Sequence, residues 1–374
     1  MSCSCFGASV KRENDDSHVS GEFEGRVLGN IKAFSYNELR TATDNFHQRN
    51  KIGRGGFGTV YKGILINGIE VAVKTLSAES KQGVREFLTE IDIISNVRHP
   101  NLVQLIGCCV QGTNRILVYE FLVNKSLDTV LLAHMATGSK GKSTMLDWDK
   151  RSAICKDVAR AIAYLHEEVV PPIVHRDIKA SNILLDKDFK PKIGDFGLAK
   201  LFPDNITHIS TRIVGTTGYL APEYVLGGQL TKKADVYSFG VLMLEILSAK
   251  YSGKPTLGTG MQKLLLEWAW QLYEEGQLLE MVDPELEGFP EEEVIRYIKI
   301  AFFCTQGTAS RRPTMSQVVD MLSRNTRLNE KELLPPGFSQ DTGGRSSSRN
   351  KSSDTPTSTQ MSSVPVSITQ ITPR

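Results

Sequence analysis

Hydrophobic and polar positions follow two different patterns in the central region of the chain. Between residues 52 and 119, short β-rich runs surround a single helical pattern, and its apolar positions recur every three or four residues at Val84, Phe87, Leu88, Ile91 and Ile94. From about Leu127 onward helical periodicity dominates, and residues 233–247 are apolar on nearly all sides, which predicts a buried helix. A small sheet-rich unit followed by a larger helical unit predicts an α+β, two-lobed architecture.

The ends of the chain differ from this central region. Ser35 precedes Glu38 by three residues, which predicts a capping box at a helix start, and Phe34 with Leu39 would form its hydrophobic staple. Residues 341–374 contain 15 Ser and Thr, no aromatic residue and no Leu, so they cannot bury enough apolar area to offset the entropy of ordering. We therefore divide the chain into a flexible N-terminal segment (1–32), a flank and smaller lobe (33–121), a larger lobe (122–328) containing an exposed loop at 133–145, and a Ser/Thr-rich disordered tail (329–374).

Composition excludes several classes of protein. The 374 residues carry 44 Lys and Arg against 42 Asp and Glu, a net charge of +2, which argues against sequence-independent nucleic-acid binding on a basic face. No apolar run approaches the roughly 18 residues that span a bilayer. The 6 cysteines are too sparse for a disulfide framework, and none forms a CxxC zinc pair. We expect a protein of a reducing compartment, neither secreted, fibrous nor membrane-spanning.

A glycine-rich segment, Gly53-Arg54-Gly55-Gly56-Phe57-Gly58-Thr59-Val60, opens the smaller unit. Its glycines allow the backbone to approach phosphate closely, although the pattern alone also fits an ordinary hairpin. Lys74 ends the apolar strand Val71-Ala72-Val73-Lys74, and Glu90 lies among the apolar positions of the predicted helix, where a charge needs a partner. An ion pair between Lys74 and Glu90 would satisfy both charges and direct the ammonium group at phosphate oxygens.

The most specific chemistry lies in His175-Arg176-Asp177-Ile178-Lys179-Ala180-Ser181-Asn182, followed by Asp195-Phe196-Gly197. Asp177 can accept the proton of a hydroxyl group, and Lys179 can neutralise charge on a transferred phosphoryl group. Asn182 and Asp195 offer the hard oxygen ligands that Mg²⁺ prefers. Each residue alone fits a solvated surface charge, but the set in this order, after the glycine segment and Lys74, indicates phosphoryl transfer.

These motifs resemble those of eukaryotic protein kinases from about Phe46 to Leu328, and Ala221-Pro222-Glu223 completes the set. Within kinases the chain is most similar to the plant receptor-like and receptor-like cytoplasmic group. The residues that carry this likeness are the flank Phe34-Ser35-Tyr36-Asn37-Glu38-Leu39 with Ala42-Thr43-Asp44-Asn45-Phe46, His99-Pro100-Asn101-Leu102-Val103, Gly215-Thr216-Thr217-Gly218-Tyr219 and Asp235-Val236-Tyr237-Ser238-Phe239-Gly240-Val241. The lack of that group's extracellular domain and spanning helix favours its cytoplasmic branch.

The resemblance implies a two-lobed kinase fold and a catalytic role for each matching residue. Asp177 would be the catalytic base with Lys179 beside it, and Lys74, paired with Glu90, would hold the α- and β-phosphates. Asn182 and Asp195 would hold Mg²⁺, with Mn²⁺ as the alternative.

The resemblance also implies the ATP site. Tyr119 would be a bulky gatekeeper, the backbone of Glu120-Phe121-Leu122 would bind the adenine edge, and Asp128 would meet the ribose. The complete implied site is Ile52, Gly53, Gly55, Gly56, Gly58, Val60, Ala72, Lys74, Tyr119, Glu120, Phe121, Leu122, Asp128 and Leu184.

The expected activity is that of an ATP-dependent serine/threonine protein kinase which phosphorylates protein substrates in plant-type signalling and also autophosphorylates. Lys179, and Thr216 near the substrate-binding turn, are similar to serine/threonine kinases, whereas tyrosine kinases usually carry an Ala-Ala-Arg-type sequence in place of Lys179-Ala180-Ser181. Two alternatives remain: dual specificity, and a pseudokinase scaffold, which the presence of Lys74, Asp177 and Asp195 disfavours. Glu223 and Arg312 are expected to form a structural ion pair.

Regulation and location are also inferred from these residues. Arg176 precedes the catalytic aspartate, as in kinases regulated on the activation segment (residues 195–223), so Ser210 or Thr211 is the expected activating phosphosite, with Thr216 as a further candidate. Ser2 excludes the N-myristoylation pattern, but Cys3 and Cys5 are candidates for S-acylation. We expect a monomer or transient dimer in the cytosol or peripherally on the cytoplasmic face of the plasma membrane, with an upstream receptor kinase as partner.

Overall fold

The smaller lobe is built on a six-stranded sheet. The computed structural model describes residues 31–55, 58–76, 81–95, 97–132, 146–203, 206–253, 264–324 and 327–336. The sheet contains β1 (Lys32–Ala33), β2 (Lys51–Gly55), β3 (Gly58–Ile64), β4 (Glu70–Leu76), β5 (Leu105–Gln111) and β6 (Asn114–Glu120), in the order β1-β5-β6-β4-β3-β2. All neighbours are antiparallel except β1 and β5.

The two-residue period of a strand sends the side chains of β4 to opposite faces of the sheet. Val71 and Val73 are buried against the flank helix α1 (Tyr36–Ala42), in a small core with Phe34 and Leu39. Ala72 and Lys74 therefore face the other way, toward helix α2 (Lys81–Ile94) and the larger lobe.

The flank helix begins as the sequence predicts. Ser35 is the N-cap of α1: its hydroxyl accepts the Glu38 N–H at 3.2 Å, and the Glu38 carboxylate accepts the Ser35 N–H at 2.7 Å. The capping box is confirmed, and Phe34 and Leu39 share one apolar core, as a staple requires.

The N-terminal boundary differs from the prediction. Ile31 is buried and Lys32 pairs with Gly107 in β5, so neither residue belongs to a flexible segment. A two-residue strand has no periodicity of its own, which is why the sequence pattern does not reveal it. Residues 1–30 lie outside the described residues.

The larger lobe contains seven helices among the residues that the structure describes. They are α3 (Leu127–Leu131), α4 (Trp148–Ala163, continued by a π-helical turn at Tyr164–Glu168), α5 (Pro222–Gly227), α6 (Lys232–Ser248), α7 (Leu265–Glu274), α8 (Glu291–Cys304) and α9 (Met315–Ser323). Short strand pairs complete the lobe: β7 (Ile173–Val174) with β10 (Lys200–Leu201), β8 (Ile183–Leu185) with β9 (Pro191–Ile193), and β11 (Ile209–Ser210) with β12 (Gln229–Leu230). The two-lobed α+β fold predicted from the sequence is confirmed.

Helix α6 forms the centre of the larger lobe. Every residue from Ala234 to Ser248 is buried, which confirms the prediction made from its apolar pattern. Two of these residues are acidic, Asp235 and Glu245, and buried carboxylates require hydrogen-bond partners. Those partners come from the segments that carry the functional side chains.

The C-terminal boundary also lies later than predicted. Leu333 is buried, the Gln306 side chain donates to the Leu334 carbonyl at 2.9 Å, and Gln306 forms an isolated bridge with Pro336. Residues 329–336 therefore pack on the larger lobe, so that part of the predicted disordered tail is wrong. The rest of that tail, and the predicted loop at 133–145, lie outside the described residues.

Cys108, Cys109, Cys155 and Cys304 are buried and carry free thiols. Among the described residues, no helix is both long and apolar enough to cross a bilayer.

Candidate active site

Lys74 joins the two lobes through a pair of carboxylates. Its Nζ lies 2.9 Å from Oε2 of Glu90 on α2 and 2.8 Å from Oδ1 of Asp195, which immediately precedes a 3₁₀ turn at Phe196–Leu198. The ion pair expected from the sequence is thus present, and Asp195 is added to it. Glu90 is nearly completely buried, whereas half of the Asp195 side chain faces solvent in the cleft.

The charges in this cluster stabilise one another. Burial alone would lower the pKa of Lys74, but the carboxylates of Asp195 and Glu90 raise it, so the ammonium form persists at any physiological pH. Burial would raise the pKa of Asp195, but the charge and hydrogen bond of Lys74 hold it at about 2. Asp195 is therefore an anion, and half of its side chain is exposed to solvent.

Tyr119 makes a contact with helix α2 that its sequence context does not predict. Its hydroxyl group donates a short hydrogen bond to Oε1 of Glu90, the carboxylate oxygen other than the one closest to Lys74. Burial, together with the adjacent Glu90 charge, raises the pKa of Tyr119 well above its ordinary value, so the phenol stays neutral and donates. Tyr119 therefore holds the Glu90 side chain of helix α2, and its role as gatekeeper stays a prediction.

Asp177 lies in a compact polar cluster within residues 175–182, the predicted catalytic loop. Its Oδ1 accepts the hydroxyl of Thr216 at 2.7 Å, and its Oδ2 lies 2.7 Å from Nζ of Lys179. The same Lys179 ammonium donates to the Thr216 hydroxyl at 2.8 Å. Because all three side chains are largely buried, the carboxylate is held in one orientation.

Asn182 connects this cluster to Asp195. Its side-chain Nδ2 donates to the Asp177 backbone carbonyl at 2.8 Å and to Asp177 Oδ2 at 3.0 Å. The backbone carbonyl of Asn182 accepts the Gly194 N–H at 2.9 Å. Since the amide nitrogen is committed to Asp177, the amide oxygen is the atom available to a cation. An amide oxygen and the Asp195 carboxylate form a hard-oxygen donor set that fits Mg²⁺ or Mn²⁺.

Asp235 of α6 holds the catalytic loop in place through hydrogen bonds. Its Oδ2 accepts the His175 N–H at 2.7 Å and lies 2.8 Å from Nε2 of His166, and its Oδ1 accepts the Arg176 N–H at 2.8 Å. Burial would raise the pKa of Asp235, but these hydrogen bonds and the neighbouring histidines lower it. Arg176 has a φ of 72°, an uncommon conformation for a non-glycine residue that the surrounding hydrogen bonds maintain.

The described residues of the glycine-rich segment lie on β2 and β3, which pair in antiparallel register. A Cβ atom at Gly58 would lie 2.1 Å from the Thr75 carbonyl oxygen, so only glycine fits there. Ile52, Gly53 and Gly55 lie on β2, Val60 lies on β3 opposite Gly53, and none of them is fully buried. Gly56 lies outside the described residues.

The remaining predicted ATP-binding residues line the junction of the lobes. Ala72 pairs with Tyr119 across the sheet, and Leu184 on β8 forms an isolated bridge with Ser126. The N–H of Glu120 donates to the Gln104 carbonyl at 3.1 Å, so this N–H is committed within the protein, and the adenine edge predicted at residues 120–122 would have to use other backbone groups.

Asp128 completes this set from the larger lobe. It lies in the first turn of α3, directly after the junction, and is partly exposed there. Its position fits the predicted contact with a ribose.

The three predicted phosphosites in the activation segment differ in their exposure to solvent. Ser210 is exposed on β11 and Thr211 is partly exposed, with its N–H donating to the Gly228 carbonyl. Thr216 is buried, and its hydroxyl is engaged by Asp177 and Lys179. In this conformation its hydroxyl is therefore inaccessible to a modifying enzyme, which contradicts the prediction that Thr216 is a phosphosite.

The expected structural ion pair is confirmed. Arg312, which is completely buried, donates two parallel hydrogen bonds to Glu223, at 2.8 Å from Nη1 and 2.7 Å from Nη2. This pair ties the end of the activation segment to the segment before α9 and lies away from the reacting groups.

Comparison with known proteins agrees with this geometry. The family model described as "Protein tyrosine and serine/threonine kinase" matches residues 46–322. The chain is 52% identical over 342 residues to "Cold-responsive protein kinase 1" of Arabidopsis thaliana, covering 91% of this chain and 85% of that protein. It is 51% identical over 308 residues to a "Probable LRR receptor-like serine/threonine-protein kinase" of the same plant, covering 82% of this chain but only 29% of the length of that relative.

Proposed function

The chain belongs to the protein tyrosine and serine/threonine kinase family, and from this premise we propose which residues perform phosphoryl transfer and with which metal. It is a serine/threonine protein kinase that uses ATP and a divalent metal and acts on protein substrates. The observation that carries the proposal is the pair of clusters linked through Asn182, with Lys74, Glu90 and Asp195 on one side and Asp177, Lys179 and Thr216 on the other.

We propose that the substrate hydroxyl binds at Asp177. The carboxylate accepts the hydroxyl proton as the oxygen bonds to the γ-phosphorus of ATP, while the bond from that phosphorus to the β,γ-bridging oxygen breaks and ADP leaves. Lys179 balances the charge that develops on the transferred group. Lys74 is protonated and reaches the cleft from the smaller lobe, where it orients the α- and β-phosphates. Thr216 keeps the carboxylate of Asp177 aligned between turnovers.

The metal in this proposal is Mg²⁺, with Mn²⁺ as the alternative. The Asp195 carboxylate and the Asn182 amide oxygen would hold it, since both are hard oxygen donors at the floor of the cleft. When bound, the cation would supply positive charge that neutralises phosphate oxygens. Asp195 is suited to this task because its pKa of about 2 keeps it ionised.

Labelling with radioactive ATP and phospho-amino-acid analysis tests the assignment. The wild-type chain should label serine and threonine in a generic protein substrate in the presence of Mg²⁺ or Mn²⁺, and EDTA should abolish labelling. Lys74→Met should remove activity, whereas Lys62→Met, on the neighbouring strand, is the matched control and should retain it. Binding of nucleotide without transfer would support the pseudokinase alternative, and labelled tyrosine would support dual specificity.

We further propose that Ser210 or Thr211 is the activating phosphosite. Both lie close to Arg212, whose carbonyl is bound by Arg176, so a phosphate there would meet two guanidinium groups. Replacing both residues with Ala should abolish the lag that autophosphorylation produces and leave only low activity. Full activity with unchanged kinetics in the double variant would overturn this proposal.

An upstream receptor kinase and peripheral membrane attachment complete the proposed function. Similarity to receptor-like kinases supports such a partner, and Cys3 and Cys5 supply thiols for S-acylation. In plant cells, Cys3→Ser with Cys5→Ser should shift the protein from the membrane fraction to the cytosol. An unchanged distribution would contradict acylation at these residues.

A further inference from the structure

The turn between β3 and β4 carries exposed isoleucines that phosphoryl transfer does not use. Ile64 is 56% exposed, Ile69 is 51% exposed, and Ile66 between them is fully exposed. Single apolar side chains are common on protein surfaces, but three within residues 64–69 form a contiguous apolar projection, which we call the hairpin tip.

The isoleucines of the hairpin tip lie on both faces of the sheet. Ile64 alternates with Lys62, which pairs with Ala72 on the face toward the cleft. Ile69 precedes Val71 by two residues and therefore lies on the opposite face, toward the flank helix. One flat protein surface cannot cover both sides of such a narrow turn, whereas the apolar interior of a lipid bilayer can surround it.

The backbone of the hairpin tip is suited to an apolar environment. The Leu65 N–H donates to the Ile69 carbonyl at 2.9 Å, and the Gly68 N–H donates to the Leu65 carbonyl at 2.8 Å. The Ile69 N–H donates to the side-chain oxygen of Asn67 at 3.3 Å. Because these donors are paired within the turn, insertion into a bilayer would not leave them without partners.

An ion pair at the base of the hairpin tip limits how deeply it can enter a bilayer. Nζ of Lys62 lies 2.5 Å from Oε1 of Glu70, and the same ammonium group lies 4.5 Å from the centroid of the Phe121 ring. Charged groups remain at the level of the lipid headgroups, so only the residues beyond this pair would reach the apolar layer. The pair is neutral overall, so apolar burial and not anionic lipid would supply the attraction.

The N-terminal part of the chain approaches the sheet from the same end. Across the sheet, Lys32 of β1 is level with Val73 of β4, and β1 is parallel to β5, so the residues before β1 meet the sheet at the end where β3 turns into β4. Three strand spacings separate β1 from β4, a distance of about 14 Å. At roughly 3.3 Å per residue, residues 1–30 are long enough for acylated Cys3 and Cys5 to enter the bilayer that the hairpin tip would meet.

We propose that the hairpin tip is a membrane-docking surface that inserts Ile64, Ile66 and Ile69 into the apolar layer of a lipid bilayer. The proposal rests on the membrane attachment in the proposed function and adds a second contact to it, but it requires neither acylation nor phosphoryl transfer. Two weak contacts on one molecule bind a membrane more tightly than either alone, and they would fix the orientation of the smaller lobe on its surface.

Vesicle sedimentation of the full chain with Cys3→Ser and Cys5→Ser separates the hairpin tip from acylation. This parent protein should bind phosphatidylcholine vesicles at high lipid concentration, and adding Ile66→Asn with Ile69→Asn should weaken binding at least about tenfold. Leu226→Asn, at an exposed apolar residue of α5 in the larger lobe, is the matched control and should bind as the parent does. Including phosphatidylserine or raising the salt concentration should change the affinity by less than about threefold.

Tryptophan fluorescence locates the contact directly. In the same background, brominated phosphatidylcholine should quench the added fluorescence of Ile66→Trp but not that of Leu226→Trp, with the parent protein as the reference for the native tryptophans. A parent protein that does not bind vesicles, equal binding by the Asn variant, or equal quenching at both positions would overturn the proposal.

Two further outcomes separate this proposal from its alternatives. Self-association of the chain in solution that Ile66→Asn with Ile69→Asn abolishes would assign the hairpin tip to a second copy and overturn membrane docking. If Cys3→Ser with Cys5→Ser leaves the membrane fraction in cells unchanged while Ile66→Asn with Ile69→Asn lowers it, acylation in the proposed function is refuted and membrane docking by the hairpin tip is supported.

Discussion

Removing Arg312 should destabilise the larger lobe without impairing the chemistry. Besides its two hydrogen bonds to Glu223, the guanidinium donates to the carbonyls of Gln306 at 2.7 Å, Lys233 at 2.9 Å and Gly307 at 3.4 Å. Arg312→Leu keeps apolar volume but leaves a mostly buried carboxylate and these carbonyls without their donor.

The size of the effect follows from this loss. Breaking a buried ion pair from one side costs about 3–5 kcal/mol, a large part of the roughly 5–15 kcal/mol by which a domain is stable. At about 2–4 °C per kcal/mol, the melting temperature should fall by roughly 6–20 °C. Glu223→Leu should have a comparable effect, and the double variant should lose clearly less than the sum, because neither partner is then left as an unpaired charge.

Urea unfolding and a phosphotransfer assay, both well below the melting temperature of every variant, measure these quantities. The folded Arg312→Leu protein should keep kcat within about threefold of wild type, because Arg312 touches no reacting group. A loss of stability below about 1 kcal/mol, or effects that add within about 0.5 kcal/mol in the double variant, would refute the reasoning. So would a tenfold drop in kcat of the folded protein.

Three further substitutions test individual contacts. Tyr119→Phe removes the hydroxyl that holds Glu90, so the KM for ATP should rise and stability should fall by about 1.5–3 kcal/mol in thermal unfolding; an unchanged protein would contradict the contact. Thr216→Val should lower kcat about tenfold or more at an unchanged KM for ATP, because Oδ1 of Asp177 loses the hydroxyl that donates to it. Thr216→Ser keeps a hydroxyl and should restore the rate, so equal rates for the two variants would argue against this role. Burial raises the pKa of Glu245 from 4.5 to about 7, so the folded protein binds a proton more tightly than the unfolded chain, and this residue's contribution to stability should fall as pH rises from about 4.5 to 7. Glu245→Gln should therefore gain roughly 3 kcal/mol relative to wild type on going from pH 5 to pH 8 in urea unfolding, and a pH-independent difference would refute the shift.

The sequence predicted those features that depend mainly on the pattern of neighbouring residues. The capping box at Ser35 depends on residues three apart, and the buried helix α6 on a pattern that is apolar on nearly all sides. The Lys74–Glu90 pair could be inferred because a charge on an apolar helix face needs a partner, although the two residues are 16 positions apart.

Contacts set by tertiary packing were not predictable in this way. Nothing in the sequence near Tyr119 or Thr216 indicates that their hydroxyls reach Glu90 and Asp177, because these contacts depend on how α2 and the activation segment dock. The strand at residues 32 and 33 and the packing of residues 329–336 were missed for the same reason. Each element is short and is stabilised by a partner distant in sequence.

The central claim is that Asp177 activates the substrate hydroxyl while the Lys74 cluster and Asp195 hold the nucleotide. Single-turnover transfer from Mg²⁺-ATP to a protein substrate, measured for wild type and Asp177→Asn alongside nucleotide affinity, tests it most directly. We predict a rate at least about 100-fold lower in Asp177→Asn at a nearly unchanged affinity for Mg²⁺-ATP. A variant that binds nucleotide normally and transfers phosphate at the wild-type rate would contradict it.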